Sequence, residues 1–444
     1  MYALTKLRTI VLFEADFNMN NKRFGREAMH KAIKMGQIAE EQYSRPGRSA
    51  IEHVLNRKLV FDYCAYKKQA YSLCSCDLKG CYDRIVHSAA SLALQKIGIS
   101  QTKITSMFGT IQQLIHKIRT VFGDSQDSYG GTSANFLLPP QGVAQGNGGG
   151  PSIWAILSST IFFVLREKGF CINFCSALTN ELFRLCGFAY VDDCDLIQTG
   201  DDPIQFAQSM QATMSTWEGV VQATGGALAP DKSWWYLVDF VWVNGTWKLS
   251  DKGEGLDLVA HDKDENEISL TYLMSSEAQQ MLGVHLTPNG QLTTQLDYMI
   301  KKSKAWAELI RVGQLSPTEA WSSMNHSILK ALEYPLSALT LTEKQCRRIL
   351  TPIINAGFPA SGINRNFPLA IRNGQKAYGG FEVRNLFLKM GSQRIQYLVE
   401  HLWKDTPTSK LLRSNLEALT LEAGIEGPLL QSDANIARPW LITE

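Results

Sequence analysis

A pair of adjacent carboxylates, Asp192 and Asp193, constrains the fold more than any other feature of the sequence. The pair lies in the middle of residues 185–198 (LCGFAYVDDCDLIQ), where apolar residues flank it on both sides. Two short apolar runs that meet at a tight polar turn are typical of a β-hairpin. We therefore predict a hairpin that carries both carboxylates at its tip.

A third carboxylate, Asp77, ends a second strand-like segment, residues 70–78 (AYSLCSCDL). The two-residue period of a strand places Asp77 at the C-terminal end of this segment. Magnesium takes oxygen ligands, so a protein that binds it must bring carboxylates from separate elements to one point. Each signal alone is weak, because aspartates are common in turns. Together, the two strand ends are candidates for one carboxylate site.

Composition places the chain among folded globular proteins. Of its 444 residues, 45% are hydrophobic and 19% are charged, which excludes a disordered chain and suggests about three units of ~150 residues. The longest apolar run, residues 152–165, is shorter than the ~20 residues that cross a bilayer and is predicted to be a buried helix. No signal peptide is recognised, so we expect an intracellular protein.

The nine cysteines include no Cys-x-x-Cys pair, which argues against a zinc knuckle. Most of them lie in apolar segments. We expect these to be small core residues in a reducing compartment: Cys74, Cys76, Cys81, Cys186 and Cys194.

The formal net charge of +2 hides a segregation of charge along the chain. Lys and Arg are in excess in residues 1–76 and 301–444, whereas Asp and Glu are in excess between 77 and 300. Basic surfaces suit a phosphate backbone, and an acidic centre suits divalent cations. The same imbalance also fits solvated faces with no such partner.

The other periodicities predict mostly helices around these strands. A helix over 49–66 is predicted to have Ser49 as N-cap and Glu52 in capping-box position. We predict further helices over 18–41, 86–97, 101–118, 203–224 and most of 294–440, strand-like alternation in 1–16, and a surface hairpin or partly mobile insertion over 239–267.

The motifs and their order resemble the reverse transcriptases, in particular the branch of non-LTR retrotransposons and group II introns. Residues 76–84 (CDLKGCYDR) are similar to the first palm motif of that family. The resemblance implies that Asp77 is a metal ligand, assisted by the backbone carbonyl of Leu78. It also implies that Tyr82 is the steric gate that excludes a ribose 2′-hydroxyl, so that deoxynucleotides are the substrate. Asp83 is expected to be structural.

Residues 142–152 (GVAQGNGGGPS) resemble the second palm motif. The match implies that Gln145 and Gly146 position the incoming nucleotide. The sequence departs from the family pattern at Asn147 and Gly150, where Asp and Ser are usual. By itself, the loop would also suit a flexible glycine linker.

The later motifs follow in the family's order. Residues 188–193 (FAYVDD) resemble Tyr-x-Asp-Asp, which implies that Asp192 is the second metal ligand and Asp193 its acidic neighbour. Residues 224–233 (TGGALAPDKS) resemble the fourth motif, with Ala229 in place of the usual asparagine, and imply that Lys232 is a general acid for pyrophosphate. The segment Met281-Leu-Gly-Val284 is similar to the primer grip.

Two upstream segments resemble parts of the fingers: residues 7–10 (LRTI) and 41–49 (EQYSRPGRS). The second match implies that Arg45 and Arg48 bind the triphosphate through forked hydrogen bonds. Either arginine could also be a surface charge beside a turn, as could Arg8.

The resemblance implies an α+β fold of the right-hand polymerase type. Fingers are expected in residues 1–69, and an antiparallel-sheet palm with a ferredoxin-like core in 70–290, including an acidic insertion near 240–270. A helical thumb and C-terminal extension are expected in 291–444. The implied partners are an RNA template, a DNA primer and dNTPs, with two Mg²⁺ or Mn²⁺ ions as cofactors, in the nucleus if the element is eukaryotic.

Two alternatives stay open. A catalytically silent, nucleic-acid-binding relic of such an element is disfavoured by the intact aspartates, and an RNA-dependent RNA polymerase is disfavoured by Tyr82 and the Tyr-Val-Asp-Asp form. We recognise no endonuclease pattern and no RNase H carboxylate set. The chain begins almost at the expected fingers, so we expect one piece of a longer element protein.

Overall fold

The computed structural model describes residues 10–130, 142–200, 202–261 and 265–431. The segment that carries Arg8 therefore lies outside the described residues. The helices are α1 (Ala15–Lys34), α2 (Ala50–Lys67), α3 (Cys81–Arg84), α4 (His87–Lys96), α5 (Gln101–Gln113), α6 (Gly150–Glu167), α7 (Pro203–Ala223), α8 (Thr293–Val312), α9 (Pro317–Ser322), α10 (Leu329–Glu333), α11 (Glu343–Ala360), α12 (Leu369–Asn373), α13 (Leu386–His401) and α14 (Pro407–Ala423). A π-helical segment, Ser323–Ile328, joins α9 to α10.

The strands are β1 (Tyr71–Cys76), β2 (Ile115–His116), β3 (Arg119–Thr120), β4 (Gly123–Asp124), β5 (Tyr129–Gly130), β6 (Ile172–Cys175), β7 (Leu182–Leu185), β8 (Gly187–Tyr190), β9 (Asp193–Thr199), β10 (Trp234–Val243), β11 (Thr246–Asp251), β12 (Val259–His261), β13 (Glu267–Ser269), β14 (Thr271–Tyr272), β15 (Gln279–Met281) and β16 (Val284–Leu286).

The central sheet has the strand order β11-β10-β1-β9-β8 and is antiparallel along this path, while β14 adds to β10 by a short parallel pairing. Strands β1, β8, β9 and β10 have the ferredoxin-like order 4-1-3-2, with α6 between the first two and α7 between the last two. The expected α+β fold with an antiparallel, ferredoxin-like sheet is confirmed.

Both faces of the sheet are covered, and every residue of β1 is buried. One face packs against α4 to α7, with Trp154 of α6 and Trp217 of α7 in the core. The other face packs against α2, the β6–β7 hairpin and Leu411 of α14. A third core lies among α8 to α11 and α13 and includes Ile51 and Val54 of α2. The strands that carry the predicted carboxylates are therefore held from both sides.

The strongest periodic predictions are confirmed. The apolar run over 152–165 is part of α6, the doublet lies in the β8–β9 hairpin, and the predicted helix over 203–224 is α7. The acidic insertion begins as the β10–β11 hairpin, which turns at Asn244 and Gly245, both with positive φ. Among the helices described, none combines the length and the apolar character that crossing a membrane requires.

Other predictions are wrong in detail. The first helix begins at Ala15 and ends at Lys34 instead of spanning 18–41, and residues 10–14 form no strand. The helix predicted over 101–118 ends at Gln113, because Ile115 pairs with Gly130 in a small hairpin. Cys186 is bonded to Cys171 in a disulfide, so it is not the free core cysteine that we expected.

The predicted capping box at α2 is also wrong. Ser49 is the N-cap residue, but its side chain accepts no capping hydrogen bond. The Glu52 carboxylate is bonded instead to Arg48 and to Thr408 of α14. A contact with a distant helix thus replaces the local capping bond.

Candidate active site

The sheet register brings the predicted carboxylates to one edge. Cys76 at the end of β1 pairs with Cys194 of β9, so Asp77 lies beside Asp193 in the continued register. Within the β8–β9 hairpin Tyr190 pairs with Asp193, which leaves Asp192 in the two-residue turn. The expectation that the doublet lies at the tip of a hairpin, next to the end of β1, is confirmed.

The turn itself is held in an uncommon conformation. Val191 has φ of 59°, a left-handed region that β-branched residues rarely adopt. The indole Nε1 of Trp154 donates a 2.5 Å hydrogen bond to the carbonyl oxygen of Val191. A buried tryptophan of α6 thus fixes the turn that presents Asp192, as often happens where backbone strain is kept at a functional site.

The fourth motif binds Asp77 from the other side. The Asp77 carbonyl accepts a 2.9 Å bond from the N–H of Ala229, and the Asp77 N–H donates to Ser233 Oγ at 3.1 Å. The Lys232 ammonium lies 3.1 Å from Asp77 Oδ2. Backbone bonds therefore hold the fourth motif against Asp77, and the Lys232 ammonium lies at the carboxylate edge. Its role as a general acid stays a prediction.

Electrostatics at this edge are those of crowded carboxylates. Burial, together with the neighbouring Asp192 and Asp77, raises the pKa of Asp193 to about 7. Repulsion of this kind is relieved when a cation binds. The donor set is made of carboxylate oxygens, which are the ligands that Mg²⁺ and Mn²⁺ prefer. The residues at this edge therefore fit a hard divalent cation.

The carboxylates converge without closing into a metal cage. Within the described ranges, no three His, Cys, Asp or Glu side chains are grouped closely enough to hold a metal ion. Asp77 is instead engaged by Lys232. Leu78 and Leu228 form an isolated antiparallel β-bridge. Its hydrogen bonds run from the N–H of Ala229 to the carbonyl of Asp77 and from the N–H of Lys79 to the carbonyl of Ala227, so the bridge does not use the Leu78 carbonyl.

A cavity of about 620 Å³ lies next to the hairpin and contains several of the predicted nucleotide-binding residues. Tyr82, Arg45 and Arg48 line it together with Tyr190 and Val191. Burial, with the nearby Arg48, lowers the pKa of Arg45. The structure therefore brings the predicted steric gate and both arginines to one space.

Among the lining residues that sequence reasoning missed are Arg26 and His30. They lie four residues apart on α1, so both side chains reach the same face of that helix. The four-residue spacing of Arg26 and His30 within the helix predicted over 18–41 could have indicated that both side chains lie on one face.

The second-motif loop reaches the cavity only with its last residues, Pro151 and Ser152. Neither Gln145 nor Gly146, both in the described part of the chain, lines the cavity. The Gln145 carbonyl accepts a 2.8 Å bond from the N–H of Val11, and a Cβ on Gly146, whose φ is +112°, would lie 2.3 Å from the Val11 carbonyl oxygen. Because Gly146 has no side chain, the backbone of Val11 in the N-terminal segment can pack directly against it. A nucleotide-binding role for these two residues stays a prediction.

Asp83 has the structural role that was expected. Its carboxylate accepts a 3.0 Å bond from the backbone N–H of Gln145. The backbone carbonyl of Tyr82, one residue earlier, accepts a 2.8 Å hydrogen bond from the N–H of Val143. The first and second motifs are therefore bonded to each other.

Behind the carboxylates lies a buried ion pair that the motifs did not indicate. Asp195 follows Asp193 by two residues, on the same face of β9. Its carboxylate accepts bonds from Arg57 Nη2 and Nε at 2.5 and 2.8 Å and lies 3.0 Å from His53 Nε2. Both members of the Arg57–Asp195 pair are almost fully buried.

Besides Asp195, Arg57 contacts residues of three other strands near the site. Its Nη2 lies 3.3 Å from Ser75 Oγ on β1 and 2.5 Å from Met281 Sδ, which belongs to the predicted primer grip. Its guanidinium lies 4.9 Å from the ring centre of Trp234 on β10. Burial would raise the pKa of Asp195, but Arg57 and His53 outweigh it and lower that pKa to about 2.

Comparison with known proteins identifies the family. Residues 5–286 match the family described as reverse transcriptase (RNA-dependent DNA polymerase). No curated protein is detectably similar to the chain in sequence.

Solved structures that resemble the chain include three structures of telomerase. Apo telomerase from Candida tropicalis is 13% identical, with 90% of this chain and 55% of that chain covered and a TM-score of 0.38. A form of the same enzyme truncated from its C-terminal domain is 16% identical, with 61% and 43% covered and a TM-score of 0.35. Telomerase from Candida albicans, in complex with a TWJ fragment of telomeric RNA, is 11% identical, with 96% and 57% covered and a TM-score of 0.36. The chain thus spans about half the length of these telomerase chains, and scores this low carry no functional inference. The family match extends over more than half of the sequence, and this chain belongs to the reverse transcriptase family.

Proposed function

We propose that this chain is an RNA-directed DNA polymerase of the non-LTR type, which adds dNTPs to the 3′-hydroxyl of a DNA primer on an RNA template. The observation that carries the proposal is the sheet register. It sets Asp77 beside Asp193, with Asp192 in the adjoining turn and the cavity of Tyr82 next to it. Residues 1–69, 70–290 and 291–444 are proposed as fingers, palm and thumb.

Asp77, Asp192, Asp193 and the backbone carbonyl of Leu78 would hold two Mg²⁺ or Mn²⁺ ions. When bound, such ions activate the primer hydroxyl and stabilise the charge that develops on the phosphates. Their binding also requires Asp193 to be ionised. Because burial, together with the neighbouring Asp192 and Asp77, raises the pKa of Asp193 to about 7, cation binding is expected to release protons near neutral pH.

The remaining residues act on the nucleotide. Tyr82, Arg45 and Arg48 line one cavity. There the Tyr82 ring is proposed to exclude a ribose 2′-hydroxyl, and the two arginines to supply positive charge for the triphosphate. Lys232 Nζ is proposed to donate a proton to the leaving pyrophosphate. Base specificity comes from pairing with the template.

The experiment is primer extension on an RNA template with dNTPs and magnesium. We expect the wild-type protein to extend the primer and Asp192→Asn to lose about a thousandfold or more of the rate, because a charged ligand to the ions is removed. The matched control is Asp231→Asn, an exposed acidic residue beside Lys232. An Asp192→Asn protein with full activity in magnesium would refute the assignment.

A silent relic is the second candidate, and one observation favours it. The Asp77 carboxylate, a proposed metal ligand, is paired with the Lys232 ammonium. Wild-type protein that binds an RNA–DNA hybrid but adds no nucleotide would identify the relic.

A further inference from the structure

We propose that the C-terminal helix α14 positions Arg48 in the nucleotide cavity through the carboxylate of Glu52, with Thr408 as the positioning residue. The inference rests on the proposed function, because it assigns Arg48 to the incoming nucleotide. It assigns a catalytic-centre role to a helix that lies more than 300 residues further along the chain than Arg48.

The first step is the ion pair between Arg48 and Glu52. Arg48 lines the cavity, and its Nη1 is bonded to Glu52 Oε1 one helical turn further on. The side chains are 7% and 2% exposed, so the pair is shielded from water and salt. The Arg48 guanidinium also lies 5.5 Å from the centre of the Tyr43 ring. A guanidinium has five N–H donors in a fixed fork, so a bond at Nη1 leaves donors for a phosphate.

The second step is the contact from α14 to Glu52. Thr408 Oγ1 donates a 2.9 Å hydrogen bond to Glu52 Oε1, the same oxygen that Arg48 engages. Thr408 is fully buried in the first turn of α14, where the helix dipole favours a negative charge. The Tyr43 hydroxyl lies 3.4 Å from Thr408 Oγ1, and His401 Nδ1 lies 3.7 Å from Glu52 Oε1. Groups from α13 and α14 therefore fix where the Glu52 carboxylate points.

The third step is that α14 is also held by hydrogen bonds that do not involve Glu52. The effect of Thr408 on Glu52 can therefore be tested without detaching the helix. Ser414 Oγ bonds Ser176 Oγ at 2.7 Å, and Glu417 accepts bonds from the backbone N–H groups of Leu178 and Thr179. Loss of the Thr408 hydroxyl therefore leaves the helix in place. What it removes is one of the bonds that orient Glu52, so Arg48 gains freedom in the cavity and must be ordered when a nucleotide binds.

The test compares Thr408→Val with Ser414→Ala, since each removes one buried hydroxyl from α14 and only the first touches Glu52. Two quantities are measured on the full chain with primer and RNA template. One is the KM for dNTP in steady-state extension. The other is the Kd of a fluorescent dNTP on a complex whose primer ends in a dideoxynucleotide, which needs no turnover.

We expect Thr408→Val to raise KM and Kd about three- to tenfold with kcat changed less than about twofold, because a bond to a charged group is lost from the positioning chain. Ser414→Ala should leave both constants at the wild-type values. Thr408→Ser, which restores the hydroxyl, should recover them.

The outcomes separate the two proposals. If wild-type protein binds dNTP and Thr408→Val behaves like Ser414→Ala, the positioning role is wrong and the polymerase proposal stands. A drop in kcat with unchanged KM and Kd in Thr408→Val would also overturn the positioning role. If wild-type protein neither binds dNTP nor extends primers, the proposed function is wrong, and so is the positioning role that rests on it.

Discussion

The buried ion pair between Arg57 and Asp195 gives the sharpest prediction for stability. Asp195 is fully buried, Arg57 is 2% exposed, and two hydrogen bonds of 2.5 and 2.8 Å join them. Removing one partner leaves the other charge buried without compensation, which costs about 3–5 kcal/mol. Typical stabilities are about 5–15 kcal/mol, so each single variant should lose a large part of the total.

The double variant should behave differently. Arg57→Met and Asp195→Val replace both charges by apolar groups, and such replacements of a whole buried pair are often close to neutral. We therefore expect Arg57→Met and Asp195→Val to cost about 3–5 kcal/mol each, and the double variant to cost less than either one alone. The free energy of unfolding is measured by urea titration of the four proteins at pH 7.

Acid should weaken the same pair. The pKa of Asp195 is lowered to about 2 in the folded protein, whereas an aspartate of the unfolded chain has a pKa of about 3.9. The stabilisation is therefore complete above about pH 4 and is lost as the pH falls towards 2.

A double variant whose loss of unfolding free energy equals the sum of the two single losses would refute the claim that the two charges stabilise each other.

Three further changes test other parts of the molecule. Gly146→Ala should lower the thermal unfolding midpoint more than Gly47→Ala, since both have positive φ but only Gly146 has a backbone oxygen within 2.3 Å of the new Cβ; equal midpoints would contradict this. Tyr82→Ala should raise rNTP incorporation relative to dNTP about 10- to 100-fold, because the ring no longer fills the space for a 2′-hydroxyl. An unchanged ratio would reject the steric gate, and a wild-type preference for rNTPs would indicate an RNA polymerase. Glu218→Gln should bring the pKa of His261, which a hydrogen bond to Glu218 raises, down towards 6.5 in an NMR titration; the wild-type contact stabilises below about pH 6.5 and is lost as the pH rises through the raised pKa.

Local patterns predicted the parts of the fold that local forces decide. The β8–β9 hairpin follows from two apolar runs around a tight turn, and α6 follows from an apolar run of helical length. The end of α5 and the bonds of Glu52 were mispredicted, since distant groups determine both. Thr408, which binds Glu52, lies 356 residues away from it.

Some residues of the candidate site could likewise be predicted from the sequence, and others could not. Asp77, Asp192 and Lys232 could be grouped from motif order, because each lies at the end of a sheet strand or beside one, and the register brings those ends together. The pair of Arg57 and Asp195 could not be found this way, since a lone arginine in a helix and a lone aspartate in a strand give no periodic signal. The position of Gly146 against Val11 likewise depends on where the N-terminal segment runs.

The central position of β1 sets the order in which the protein can fold during synthesis. Its partners on β10 emerge late: Ser72 bonds the carbonyl of Tyr236, 164 residues further along the chain. At ~5–20 residues per second, the ribosome needs roughly ten to thirty seconds to supply them. An apolar strand that is buried on both faces in the finished sheet has neither neighbour until β9 emerges and only one until β10 follows, and unpaired apolar strands are where chains associate with one another. Slow translation or scarce chaperones should therefore reduce the yield of folded protein at this stage, before Asp77 and Asp193 lie side by side.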